Sequence, residues 1–107
     1  MHWFSSMAIG TTQLNEETAE LSAVLLSAMA HPIRLAILML LTGEELAVNA
    51  VASRLGISRA LASQHLGRLR IQRLVTTRRE KRTVYYSSQS QAAGAVLRAL
   101  NKTLFMA

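Results

Sequence analysis

LGISRALASQHLGRLRIQRLVTTRREKRTVYYS, residues 55–87, is the stretch on which the fold turns. Gly56 ends one apolar helical pattern, where a left-handed residue closes a helix. Ser58 follows as the N-cap of the next helix. Two helices joined by a turn of about three residues that holds a glycine make a helix-turn-helix. After Leu74 the apolar period changes from helical to alternating. Val75–Arg79 and Thr83–Ser87, rich in Val, Thr and Tyr, read as two strands around Glu80-Lys81-Arg82. This tip has no Gly or Asn, so the turn type stays unassigned. A capped helix followed by a basic hairpin is what a recognition helix and a wing require, and DNA becomes the first partner to consider.

The flanking segments complete the domain. Residues 1–14 read as a flexible N-terminal arm, and residues 15–107 as one DNA-binding and dimerisation domain. A first helix is expected over Asn15–Ala30, with Asn15 as cap and Glu16, Glu17 and Glu20 favoured by the helix dipole. Its apolar stripe is Leu21, Val24, Leu25 and Ala28. His31-Pro32 breaks the chain, and Pro32 suits the first position of a second helix that runs to about Leu41. That helix is apolar almost all round and should be the central buried one. Thr42–Leu46 reads as a polar connection, Ala47–Leu55 as a short third helix, and the fourth runs from its Ser58 cap to about Gln72. A fifth helix over Ser90–Phe105 carries the seam Ala93, Val96, Leu97, Leu100 and Leu104. The fold class is mainly α (α+β): a winged helix-turn-helix of four helices, two strands and a closing helix.

Composition fits this reading. A chain of 107 residues makes one domain, and such a chain buries roughly 65% of its unfolded surface. Half of the residues are apolar but only 5% are aromatic, so the core must be aliphatic. Residues 1–50 hold one Arg and five Glu, whereas residues 51–107 hold eleven Lys and Arg against one Glu. A polyanion bound by one face accounts for that asymmetry. No cysteine is present, which excludes a disulfide framework, a thiolate metal site and a thiol switch. The first ten residues lack the basic and apolar regions of a signal peptide, and the apolar run Leu35–Leu41 is too short to span a bilayer. The protein is expected in the cytoplasm, associated with the nucleoid.

The fourth helix has two faces. Ala62, Leu66 and Leu69 lie at i, i+4 and i+7 and should face the core. Arg59, Ala60, Ser63, Gln64 and Gly67 then point outward, and the small ones among them allow close approach to a groove. Gln64 can pair with an adenine edge, and Arg59 with a guanine edge or a phosphate. Arg68, Arg70 and Arg73 lie toward the C-terminal end, where backbone contact is expected. Arg78, Arg79, Lys81 and Arg82 would set the wing along phosphates or into a minor groove. Tyr85 and Tyr86 point to opposite faces of the hairpin, one toward the core.

The segments LSAMAHPIRLAIL (26–38), EELAVNAVASRLGIS (44–58), SQHLGRLR (63–70) and LVTTRREKRTVYYS (74–87) resemble the ArsR/SmtB winged-helix repressors. The likeness is to their metal-independent NolR- and HlyU-like branch, and covers about residues 16–105. It implies a homodimer built on the first and fifth helices, a palindromic operator and repression. It also implies Arg59, Ser63 and Gln64 as groove-facing residues, with Ser58 and His65 supporting them by capping and backbone contact, and Arg79, Lys81 and Arg82 as wing contacts. The chain departs from the family pattern at Leu61-Ala62, which stand in reversed order, and at Arg59, where Gln or Glu is frequent. In the ELAVN segment, Ala47 and Asn49 stand where arsenic sensors carry thiols. Residues 90–105 lack the Asp and His that zinc sensors use.

No metal and no cofactor is therefore expected. His2, His31 and His65 fall in separate segments, with His31 read as a helix-start residue. Paired carboxylates, an activated nucleophile and a phosphate loop are all missing, so the chain does not read as an enzyme. Glu44 and Glu45 read as a solvated loop. The stripes Leu21, Val24, Leu25 and Ala93, Val96, Leu97, Leu100, Leu104 exceed what a small core can use, and pairing across a two-fold axis is expected. The rival reading is a winged-helix protein-interaction module docking an acidic partner.

Overall fold

The structure is a computed structural model that describes residues 15–105 and the backbone of residues 8–9 and 12–13. Strands β1 (Ala8–Ile9) and β2 (Thr12–Gln13) pair antiparallel. The rest of the arm expected over residues 1–14, and its flexibility, lie outside the described residues.

Helix α1 (Glu16–Met29) starts in a reciprocal capping box: Asn15 Oδ1 accepts from the Thr18 amide at 2.9 Å and Thr18 Oγ1 accepts from the Asn15 amide at 3.0 Å. Helix α2 (Pro32–Gly43) has Pro32 in its first turn, and His31 Nδ1 accepts from the Ile33 amide at 3.0 Å. It runs two residues beyond the expected Leu41. Ile37, Leu38 and Leu41 are buried along it, whereas Met39 is 62% exposed, so the helix expected to be buried all round buries one side.

The segment read as a polar connection contains a strand. In β3 (Leu46–Ala47), Leu46 faces Tyr86 and Ala47 faces Tyr85 on the hairpin. Two residues are too few to display an alternating period, which is why the sequence hides it. Helix α3 (Val48–Leu55) ends at Gly56, whose φ of 67° is left-handed. Ile57 N–H donates to Ala52 C=O and Gly56 N–H to Ser53 C=O, the two bonds of a Schellman end. Helix α4 (Arg59–Ile71) begins at Ser58, whose Oγ accepts from the Leu61 amide at 3.1 Å. It closes with the same motif: Leu74 N–H to Leu69 C=O and Arg73 N–H to Arg70 C=O. Here the left-handed position is held by Arg73, at φ 59°.

Strands β4 (Thr76–Glu80) and β5 (Thr83–Ser87) form the hairpin, and the sheet order is β3-β5-β4. Glu80 pairs with Thr83, so Lys81 and Arg82 alone make the turn. Lys81 takes φ 56° and Arg82 does not, the sign pattern of a type II′ turn. Ser88 fastens the hairpin exit, donating from its amide to Leu41 C=O and from Oγ to Leu74 C=O. Helix α5 (Gln91–Leu100), capped by Ser90, passes into a π-helical turn over Asn101–Phe105.

The winged helix-turn-helix is thus present in the expected order, with a third strand added. The core is aliphatic: Ile37, Leu38, Val51, Ala62, Leu66 and Leu69 are wholly inaccessible. Ala93 corrects the expected dimer seam. It is fully buried in this core and has no surface for a partner. Val96 and Leu97 pack partly against the core, whereas Leu21 and Leu104 remain about two-thirds exposed, at 64% and 67%. No single helix among the described residues is long and apolar enough to cross a membrane.

Candidate nucleic-acid interface

The register of α4 follows from its inward stripe. Ala62, His65, Leu66 and Leu69 occupy the i, i+3, i+4, i+7 positions and are all buried. That leaves Arg59, Ala60, Ser63, Gln64, Gly67 and Arg68 exposed on the opposite side. Gly67 is informative. A Cβ built there would meet nothing within 4 Å, so the protein's own packing does not require glycine. A glycine inside a helix is less stable than alanine by about 1 kcal/mol, and the bareness of this face serves whatever approaches from outside.

Two clefts flank that face. One, of about 320 Å³, lies between the start of α3, helix α4 and the wing, and is lined by Asn49, Arg59, Ser63, Arg82 and Tyr86 among others. It brings the helix residues Arg59 and Ser63 beside the wing residue Arg82. The other, of about 780 Å³, runs between α1 and α4 and is lined by Ser63, Gln64, Gly67, Arg68 and, from α1, Val24 and Ser27. Arg70 and the wing residues Arg79, Lys81 and Arg82 are exposed.

The arginines divide into two groups. Arg54 pairs with Glu44 at 3.0 Å. Arg78 pairs with Glu45 at 2.8 Å and Glu80 at 2.9 Å, and its guanidinium lies 4.9 Å from the Tyr85 ring centroid. The hydrogen bond from Arg78 holds the Glu45 carboxyl below its ordinary range, and Glu45 in turn raises Arg78. Glu44 and Glu45, expected as a solvated loop, are therefore each an anchor for an arginine. Arg59, Arg68, Arg70, Arg79, Lys81 and Arg82 form no ion pair among the described residues. These six face outward on α4 and around the wing, the charge arrangement a phosphate backbone needs; Arg73, Arg98 and Lys102 are likewise without an ion pair among the described residues.

His65 is a correction. It was expected to support DNA contact, but it is only 8% exposed and turns into the protein. Its Nδ1 lies 3.3 Å from Arg34 Nη1, and its ring centroid 4.4 Å from that of His31. Burial, then His31, Arg34 and Arg68, hold its pKa below the ordinary imidazole value. Arg34 is itself buried and donates to the carbonyls of Ala28 and Ser27 at the end of α1. Sequence reasoning passed over Arg34. The available signal was a lone arginine in the apolar run PIRLAILMLL.

Residues 31–77 match the family described as bacterial regulatory protein, arsR family. The chain is 53% identical to the nodulation protein NolR of Rhizobium meliloti over 85 residues, covering 79% of this chain and 70% of that one. It is 41% identical to the transcriptional activator HlyU of Vibrio cholerae over 87 residues, covering 81% of each. Among solved structures, NolR from Sinorhizobium fredii superposes with a TM-score of 0.80 at 45% identity, covering 92% of this chain and 96% of that one. A homodimeric winged helix-turn-helix DNA-binding domain from Mycobacterium bovis superposes with a TM-score of 0.74 at 27% identity, covering 94% and 96%.

Proposed function

The chain belongs to the arsR family of bacterial regulatory proteins, on its NolR- and HlyU-like side, and from that premise we propose how it meets its DNA. It is a DNA-binding transcriptional regulator and not an enzyme. In our reading it works as a homodimer on a palindromic operator and represses by occupying that site, in the cytoplasm at the nucleoid. Helix α4 lies in the major groove with Gln64 and Ser63 toward base edges. Arg59 and Arg82 flank one backbone from the cleft they share, Arg68 and Arg70 face phosphates toward the end of α4, and Arg79 and Lys81 extend the wing along the duplex. Ser58 contributes by capping α4. The observation that carries this reading is that Arg59, Arg68, Arg70, Arg79, Lys81 and Arg82, outward on α4 and around the wing, form no ion pair among the described residues, while Arg34, Arg54 and Arg78 are held by the protein.

Dimerisation is proposed from surface chemistry. Leu21, Val24 and Leu26 on α1, with Leu104 and Phe105 beyond α5, are between 48% and 73% exposed in the protomer. Exposed apolar groups in that number are stabilised by burial against a second copy. Leu25, Val96, Leu97 and Leu100 would contribute from the edges of the same surface. A structural neighbour of the same fold is homodimeric, which supports a dimer. Control by a metal or a thiol forms no part of the proposal. The chain has no cysteine, and no three metal-binding side chains converge among the described residues.

Base-reading and backbone-holding residues respond differently to substitution. Gln64→Ala should lower discrimination between cognate and unrelated duplexes by about 1–3 kcal/mol. Arg82→Ala should weaken both alike and reduce the slope of log affinity against log salt by about 0.9. Equal loss on both duplexes for Gln64→Ala would remove it as a base reader.

A further inference from the structure

Beneath the DNA-facing side of α4 lies a polar cluster that DNA contact does not use. It joins three helices. Arg34 on α2 donates to the carbonyls of Ser27 and Ala28 at the end of α1 and, through Nη1, meets His65 Nδ1 on α4 at 3.3 Å. The His31 ring, at the start of α2, lies against the His65 ring at 4.4 Å between centroids. We propose that the Arg34–His65 contact is a positioning device that seats the recognition helix only while His65 is neutral, so that operator affinity falls on acidification.

The chemistry of the contact requires this direction. A guanidinium has only donors, so at the Arg34 contact His65 Nδ1 must present a lone pair. The neutral ring then carries its hydrogen on Nε2. The one position left for an added proton is Nδ1, the atom already engaged by Arg34. Protonation therefore removes the hydrogen bond and places an imidazolium against a guanidinium. His31 is built the same way, because its Nδ1 accepts from the Ile33 amide.

No described residue compensates for the added charge. Among the described residues, the charged or titratable groups acting on His65 are His31 and Arg34 from the α2 side and Arg68 from its own helix, and no carboxylate acts on it. From α1 come only the Ser27 and Ala28 carbonyls, both accepting from Arg34. Burial keeps the ring below its ordinary value in the same sense. His65 is flanked in sequence by Gln64, so a shift of α4 at its seat moves the proposed reading face directly.

Added positive charge ordinarily strengthens attraction to DNA. Here the added proton should weaken specific binding. The inference rests on the proposed reading of α4, and the test separates the two. Affinity of the full chain for a selected operator is measured at constant ionic strength from about pH 7.5 to about pH 5.5, across the ordinary imidazole value of about 6.5. The wild type should lose affinity several-fold toward the acid end of that range, below the ordinary value, because burial lowers the pKa of His65. His65→Gln keeps an acceptor for Arg34 and does not titrate, and its affinity should not fall. A wild-type affinity that rises or stays level, or a His65→Gln protein that falls equally, overturns the proposal. Imidazole nitrogen resonances of the free protein test the contact without DNA. A proton on Nε2 and a bare Nδ1 at neutral pH support it, and a proton on Nδ1 overturns it whether or not the chain binds an operator.

Discussion

Arg78 on β4 reaches Glu45, the residue before β3, at 2.8 Å, and so ties the wing across the sheet to the segment that leads into α3. The same guanidinium holds Glu80 at the wing tip and lies over Tyr85 on the neighbouring strand. One side chain thus connects both hairpin strands to the helix-turn-helix. This is the role its charge plays, while Arg79, Lys81 and Arg82 remain unpaired.

Glu45→Ala should loosen the wing without unfolding the domain. The pair is exposed, and exposed ion pairs contribute little to global stability. The expected outcome is faster amide hydrogen exchange at Val84 and Tyr85 with a thermal midpoint close to wild type. Unchanged exchange would mean the strut is idle. The pH dependence has a definite sign. Glu45 is held below its ordinary value of 4.5, so the tie is fully present above that value and fades as pH falls below it, through the lowered one.

Gly67→Ala should raise stability and lower operator affinity together. The added methyl meets nothing in the protein, and alanine is better than glycine inside a helix by about 1 kcal/mol. Thermal melts and binding to the selected operator measure the two effects. A variant that is more stable and binds equally well would show that DNA does not come close to this position.

The two Schellman ends should answer oppositely to substitution. Gly56→Ala forces a Cβ into the left-handed region and should destabilise by about 1 kcal/mol. Arg73→Gly relieves the same conformation and should stabilise by about as much. Denaturant unfolding decides both, and a destabilised Arg73→Gly would show that the arginine side chain outweighs its backbone cost.

Much of this fold was legible from short signals. Gly56 and Ser58 mark a turn between helices, and the alternation over Thr83–Ser87 marks a strand. Each works because one residue type satisfies one local geometry. β3 escaped because two residues carry no period, and its pairing with Tyr85 and Tyr86 is set by tertiary structure. His65 stands at the i+3 position of the buried stripe that Ala62, Leu66 and Leu69 define, yet its polarity argued for the surface. Only the partner donor on Arg34 makes its burial intelligible, and that partner comes from 31 residues away. Ala93 fits an apolar seam equally well whether the seam faces the core or a second copy, and periodicity cannot separate the two.

Leu21→Glu should convert the dimer to a monomer while leaving the fold intact. Leu21 is 64% exposed in the protomer, so a charge there is solvated in the monomer but buried in the proposed interface. Sedimentation at micromolar concentration with a circular dichroism spectrum reads both parts. A Leu21→Glu protein that stays dimeric would place the interface elsewhere.

In the proposed complex, two copies of α4 read one duplex. Selection of bound sequences from a random pool, followed by footprinting of the winner, tests it most directly. The predicted result is a palindrome whose half-sites are centred about 34 Å apart, one helical turn, and protected on the same face. Recovery of no enriched sequence, or of a single half-site bound with no two-fold partner, would contradict it.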